Sequence, residues 1–485
     1  MSNSGITLLG LGPGNPGALT REAWNILEES KEVWLRTRQH PVVEALPGHL
    51  NIHTFDHLYE QEETFEDVYA QIVEQVLSLG RRPEGVVYAV PGHPYIAEAT
   101  CPAIAQRARD QDLEVHVVQG LSFLEPTMTA LGIDPFPHTT LLDALDLAAA
   151  HAPPFPPGAA AIVAQIYSRE VASDVKLTLM GVYPDEHPVK LVHAAGTAGE
   201  NVEALALYEI DRSPDIGTLT TLYVPPLNPG ASFEAFQDVV AHLRAPEGCP
   251  WDREQTHKTL RTGLLEETYE VLSAIDSDDP ESMQEEFGDL LLLIVMHAQI
   301  AAENGEFTMA DVLQGINNKI VHRHPHVFGD LKVDEPADVL LNWERAKAEE
   351  RAANDKAEAS LLDGVNLAIP ALLQAYQYQL RAAHIGFDWP DEEGVWEKYN
   401  EELDEFRDAD TEAAQADEMG DMLFALVNLS RWYKIDPESA LREANARFRG
   451  RFKQIEAAAR SQGRQTADLS LNEMEALWQL AKRNA

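Results

Sequence analysis

The sequence predicts a multidomain chain, an α/β sheet domain followed by two all-α helical-bundle units, on three observations. Residues 1–225 alternate short apolar runs of strand length with segments of helical period. After Pro225, Pro226, Pro229 and Gly230 the strand-like runs end and every periodic segment is helical. Within that helical half, one constellation of acidic and basic residues occurs twice in the same order. The expected divisions are 1–228, 232–355 and 360–485.

A chain of 485 residues is too long for one core. It carries 80 acidic against 37 basic side chains, a net charge of −43, and both halves share the excess. So negative a surface disfavours nucleic acid, whose phosphates need clustered Lys and Arg, and anionic membranes. The two cysteines, Cys101 and Cys249, stand in no metal-ligand spacing and read as thiols of a reducing compartment. The first apolar run has no basic segment before it and is cut by glycines, so it reads as a strand and not a signal peptide. The longest uninterrupted apolar run elsewhere, Leu290–Met296, is far below the ~20 residues that cross a bilayer. A cytoplasmic protein is expected.

In chain order, Ile6–Leu9, Val33–Leu35, Gly85–Val90 and Val115–Val118 have the length and apolarity of buried strands. Arg21–Ser30, Phe65–Leu79 and Ile96–Arg109 have helical period. Gly12, Gly14 and Gly17 mimic a dinucleotide fingerprint, but Pro13 and Pro16 lack the N–H groups that a pyrophosphate cradle needs, and the cap, Thr20, comes late. A loop under a different ligand, or a plain turn, fits better. Val90-Pro91-Gly92-His93-Pro94 and Gln119-Gly120-Leu121-Ser122-Phe123 also end strands, where ligand loops of α/β domains lie.

These segments, with QIYSREVASDVKLTL and TLYVPPL further on, resemble the tetrapyrrole (corrin/porphyrin) methylases over about residues 1–225. The resemblance implies two α/β subdomains with S-adenosylmethionine in the cleft between them. Its loops would be Gly10, Gly12 and Gly14, then Gly92, His93 and Pro94, then Gly120 and Ser122. His93 stands where methylases of this fold carry an acidic residue in a Gly-Asp-Pro loop.

The helical half opens at Cys249–Gln255, where Asp252 is the expected N-cap, with Gln255 placed for a capping box and Trp251 packed on the first helix. Glu267 and Glu270 are three residues apart, as are Glu286 and Asp289, so each pair projects from one helical face. The short connection Asp276–Pro280 implies antiparallel neighbours and brings the pairs opposite one another. Four facing carboxylates repel unless a cation lies between them, and Mg²⁺ suits such an incomplete oxygen cage. Downstream, Lys319 and Arg323 share a helical face near Asn317, where they could meet phosphate oxygens; pairing with surface carboxylates is the commoner fate of such residues. His324 and His326 lack a third ligand at helical spacing, so a turn and not zinc is expected.

The repeat raises the site above chance. Glu402 and Glu405, then Glu418 and Asp421, reproduce the two pairs, and Asn445, Arg447 and Arg451 reproduce Asn317, Lys319 and Arg323. Ala352–Ala359 reads as a helical or flexible joint between the copies.

CPWDREQTH, EETYE with EEFGD and KIVHRHPHVFGD, then HIGFDW, EELDE with DEMGD and NARFRGRF, resemble the MazG nucleoside triphosphate pyrophosphohydrolases over about residues 235–460. The resemblance implies an all-α bundle, usually a homodimer, that holds Mg²⁺ on the carboxylate pairs and attacks the α-phosphorus of a nucleoside triphosphate. Glu266 and Glu401 are the expected water-orienting groups, and Lys319, Arg323, Arg447 and Arg451 the phosphate contacts. No Gly-x-x-x-x-Gly-Lys-Ser/Thr loop occurs, which excludes a P-loop ATPase. The alternatives are a bifunctional enzyme that also methylates a tetrapyrrole or another acceptor, and a non-catalytic nucleotide-sensing protein.

Overall fold

The structure is a computed structural model that describes residues 5–62, 64–332, 339, 342–343, 346, 350 and 360–483. Residues 352–359, read above as a joint, lie outside them. Two compact units divide between Glu254 and Gln255.

The first unit contains two five-stranded sheets. In one, β1 (Ile6–Gly10), β2 (Glu32–Leu35), β3 (Asn51–Thr54), β4 (Val86–Val90) and β5 (Val115–Val118) run parallel in the order β3-β2-β4-β1-β5. Its faces are both covered: Leu8 packs with Tyr88, Ile72 and Ile104, whereas Leu9 packs with Leu27, Val42 and Val118. Burial on both sides is why these strands read as unbroken apolar runs. Strand β3 escaped the sequence reading because its four residues, NIHT, are mostly polar, as an edge position allows. The second sheet has the order β6-β7-β10-β8-β9, with β6 (Thr139–Asp143), β7 (Ala160–Ala164), β8 (Pro188–His193), β9 (Asn201–Ala206) and β10 (Thr220–Val224). Only β6 and β7 are parallel neighbours there.

Helices α1 (Arg21–Glu29) and α2 (Phe65–Gly80) form where the periodicity places them, and Thr20 Oγ1 accepts the Ala23 N–H at 3.2 Å as the cap of α1. The helix expected at Ile96–Arg109 starts later, as α3 (Thr100–Arg109). The cause is Glu98. Its buried carboxylate ion-pairs with Arg36 and accepts the Thr100 N–H at 2.8 Å, while Ala97 turns to φ 52°. Arg36 also donates to the Tyr59 and Tyr69 hydroxyls at 3.0 Å each, so the buried charge pair is fully engaged.

The second unit is helical throughout its described residues. Its first copy has α4 (His257–Asp276), α5 (Pro280–Glu303) and α6 (Met309–Arg323); its second has α7 (Ala371–His384), α8 (Glu392–Asp408), α9 (Glu412–Trp432), α10 (Pro437–Ser461) and α11 (Leu471–Arg483). Asp252 is not the cap of α4. A separate turn of helix spans Pro250–Arg253 with Pro at its first position, and Thr256 caps α4 by accepting the Thr259 N–H at 3.2 Å. Trp251 is 66% exposed. Between α4 and α5, Asp278 takes φ 50° and Asp279 accepts the Glu281 N–H at 3.1 Å, which reverses the chain within three residues, Ser277–Asp279. In the second copy Arg431 on α9 donates to both Asp388 oxygens, at 2.9 and 2.5 Å, and Gln379 on α7 donates to the Phe424 carbonyl at 2.8 Å. These contacts hold α9, the helix of Glu418 and Asp421, against the start of its copy.

Candidate active site

The reversals make α4 and α5, and again α8 and α9, antiparallel neighbours whose acidic faces oppose. Carboxylate oxygens of Glu267, Glu270 and Glu286 all lie within 4.8 Å of one another, as do those of Glu402, Glu405 and Glu418. Partial burial, then Glu270, Asp289, Glu286 and Glu266 in turn, push the Glu267 carboxyl above its usual range. Burial and then Glu270, Glu285 and Asp289 raise Glu286; burial and then Glu405, Glu402 and Asp421 raise Glu418. Each set of hard anionic oxygens, short of a full cage, fits a divalent cation such as Mg²⁺.

The copies differ in what answers that charge. In the second, Lys398 on α8 donates to Glu402 at 2.7 Å and lies 3.2 Å from Glu401, so an ammonium sits at the edge of the acidic set. The first copy has Gly263 at the matching place. The basic helices follow the same hairpin logic. Counted back equally from the turn Asn304–Thr308, Arg323 comes level with Asp289; from the turn Tyr433–Asp436, Arg451 comes level with Glu418. Arg323 is bound by Glu350 through two hydrogen bonds, at 3.1 and 2.6 Å. Arg447 meets Glu443, one turn back on its own helix, at 3.2 Å, and Arg451 Nε is buried without a hydrogen-bond partner. In each copy the last of these arginines lies over an indole, Arg323 over Trp343 at 5.3 Å and Arg451 over Trp478 at 5.5 Å.

In the first unit, the three glycine loops meet at the carboxyl ends of β1, β4 and β5. Gly12 and Gly92 exchange backbone hydrogen bonds of 3.1 and 2.8 Å, and a Cβ on Gly120 would lie 2.4 Å from the Gly92 carbonyl oxygen. His93 Nδ1 accepts the Tyr95 N–H at 3.0 Å, which leaves the ring proton on Nε2. Buried Ser122 donates its hydroxyl to Glu125 at 2.5 Å. Beside the first loop lies a cavity of about 610 Å³ lined by His40, Pro41, Ile52, Thr218 and Leu219 among others. Burial pushes the His40 imidazole down to about 4, and its Nδ1 has no partner.

Residues 5–211 match the tetrapyrrole (corrin/porphyrin) methylases, and residues 255–328 match the MazG nucleotide pyrophosphohydrolase domain. A nucleoside triphosphate pyrophosphohydrolase/pyrophosphatase MazG of Thermotoga maritima is 44% identical over 52% of this chain and 96% of its own. The uncharacterized protein YabN of Bacillus subtilis is 43% identical over 98% of each chain. The chain belongs to the MazG family. It carries the methylase-like domain in front, and it is an enzyme of the nucleotide pyrophosphohydrolase class. A uroporphyrin-III C-methyltransferase structure from Thermus thermophilus covers 47% of this chain and 95% of its own at 19% identity, with a TM-score of 0.37.

Of the four carboxylates singled out in each copy, three converge, Glu267, Glu270 and Glu286 in the first and Glu402, Glu405 and Glu418 in the second, while Asp289 and Asp421 lie outside these groups. Lys398, Trp343, Trp478, Glu350 and His40 were not singled out. For Lys398 the signal was present: it stands one helical turn before Glu402.

The raised carboxyls have a thermodynamic consequence. Above the unfolded value the folded, metal-free unit binds more protons than the unfolded one, so its stability falls as pH rises through the raised folded values. With chelator present, the pH dependence of melting of the native chain should therefore exceed that of the Glu286→Gln, Glu418→Gln double variant, and Mg²⁺ should abolish the difference. Circular-dichroism melts would measure it, and superimposable slopes would refute it.

Proposed function

We propose that the helical unit hydrolyses nucleoside triphosphates to nucleoside monophosphate and pyrophosphate with Mg²⁺, and that the second copy carries the turnover. The observation that carries this reading is the convergence of Glu402, Glu405 and Glu418 beside Lys398. A bound divalent cation would neutralise phosphate charge and make its water more acidic. Glu401, 3.2 Å from Lys398, takes the proton of the attacking water. The water oxygen bonds to the α-phosphorus as the bond to the bridging α–β oxygen breaks, and pyrophosphate leaves. Arg447 and Arg451 meet the charge that develops on the phosphates. Trp478, already under Arg451, offers a face for the base.

Incubating the chain with α-labelled triphosphates of ordinary and damaged bases tests this. Labelled monophosphate and unlabelled pyrophosphate are expected; orthophosphate as the first product would sink the reading. The substrate sets the protein in the cytoplasm. Half-exposed Leu265, Phe287 and Phe448, at 58%, 52% and 58%, favour burial in a homodimer, which a sedimentation mass of one chain would exclude. The sheet unit is proposed to bind S-adenosylmethionine at its three joined loops, to be checked by calorimetry with S-adenosylhomocysteine.

A further inference from the structure

In the first copy, the cation that a substrate phosphate would meet is already held by a carboxylate of the same chain. Arg323 Nε and Nη2 donate to the two oxygens of Glu350 at 3.1 and 2.6 Å. A guanidinium grips phosphate with this same two-point geometry. Arg323 hydrogen bonding, and then the charges of Arg323, His322 and Lys319, hold the Glu350 carboxyl below its usual range against the opposing effect of burial. Three basic side chains of α6, two of them the residues expected to take phosphate, thus converge on one internal anion. Trp343 flanks the same guanidinium.

The second copy repeats the arginine over its indole, and among the described residues Arg451 Nε has no hydrogen-bond partner there. Arg447 pairs with Glu443, an exposed neighbour one turn back on the same helix, at 3.2 Å.

We propose that Glu350 is an intramolecular phosphate mimic that keeps the first copy closed to nucleoside triphosphates, so that the chain carries one open and one self-occupied site. This rests on the nucleotide reading of the carboxylate sites. A triphosphate reaches Arg323 only by displacing Glu350, whose charge then stays beside it and opposes binding. Replacing that carboxylate by an amide keeps the shape and removes the competing charge.

The test uses the full chain with its second site disabled by Glu402→Gln and Glu418→Gln, titrated calorimetrically with inorganic tripolyphosphate in Mg²⁺, a probe that needs no knowledge of the base. Glu350→Gln and Glu350→Ala should each tighten binding by about tenfold. Adding Arg323→Gln should remove the gain, because the gain runs through that guanidinium. Unchanged or weaker binding in both Glu350 variants overturns the proposal. If the native chain neither binds tripolyphosphate nor releases pyrophosphate, the nucleotide reading itself fails; native turnover with unmoved Glu350 variants overturns the mimic alone.

Discussion

Replacing Glu402 and Glu418 by glutamine should lower pyrophosphate release by about 10³-fold, roughly 4 kcal/mol of transition-state stabilisation, whereas Glu418→Gln alone should raise the melting temperature of the metal-free chain. The opposite signs follow from one arrangement. The two carboxylates lie with Glu405 inside 4.8 Å, and Glu418 is held above its usual range by burial and by its acidic neighbours. Amides remove that repulsion and so relieve the fold, but they donate where a divalent ion needs anionic oxygen. Glu267→Gln with Glu286→Gln should relieve the first copy in the same way and cost little turnover. Pyrophosphate assays beside thermal melts separate these effects. Equal loss from the two double variants would refute the assignment of turnover to the second copy, and a lower melting temperature for Glu418→Gln would refute the electrostatic account.

A large loss of stability is expected in the sheet unit, from Gly120→Ala. A Cβ there would lie 2.4 Å from the Gly92 carbonyl oxygen and 2.9 Å from the Gly10 carbonyl carbon, both main-chain atoms that no rotamer change can move. Overpacking against rigid neighbours costs about 3 kcal/mol, at the upper end of its usual range. The same substitution at Gly48, which has nothing within 4 Å of its added methyl, should be nearly silent. Denaturant unfolding followed by tryptophan emission, with Trp34 in β2 as a reporter of this sheet, measures both. A Gly120→Ala midpoint equal to that of Gly48→Ala would mean that the three loops yield freely.

Much of the helical site was legible because its information is local. Carboxylates three apart on an apolar-periodic segment, a short acidic connection and a second copy of both leave few arrangements open. The indoles were not legible. Trp343 and Trp478 stand at different intervals from Arg323 and Arg451, so no fixed spacing betrays their shared place over an arginine. The late start of α3 was hidden for another reason: Ile96–Arg109 is periodic, but a long-range partner, Arg36, holds Glu98 and turns the chain before Thr100. Strand β3 was masked by its polar edge.

Lys398 and Gly263 give the two copies different dependence on their surroundings. The copy with the lysine carries a built-in counterion, which offsets part of the repulsion across its acidic hairpin. The copy with the glycine has no such counterion at that place, so the repulsion among Glu267, Glu270 and Glu286 is left without a lysine there to offset it.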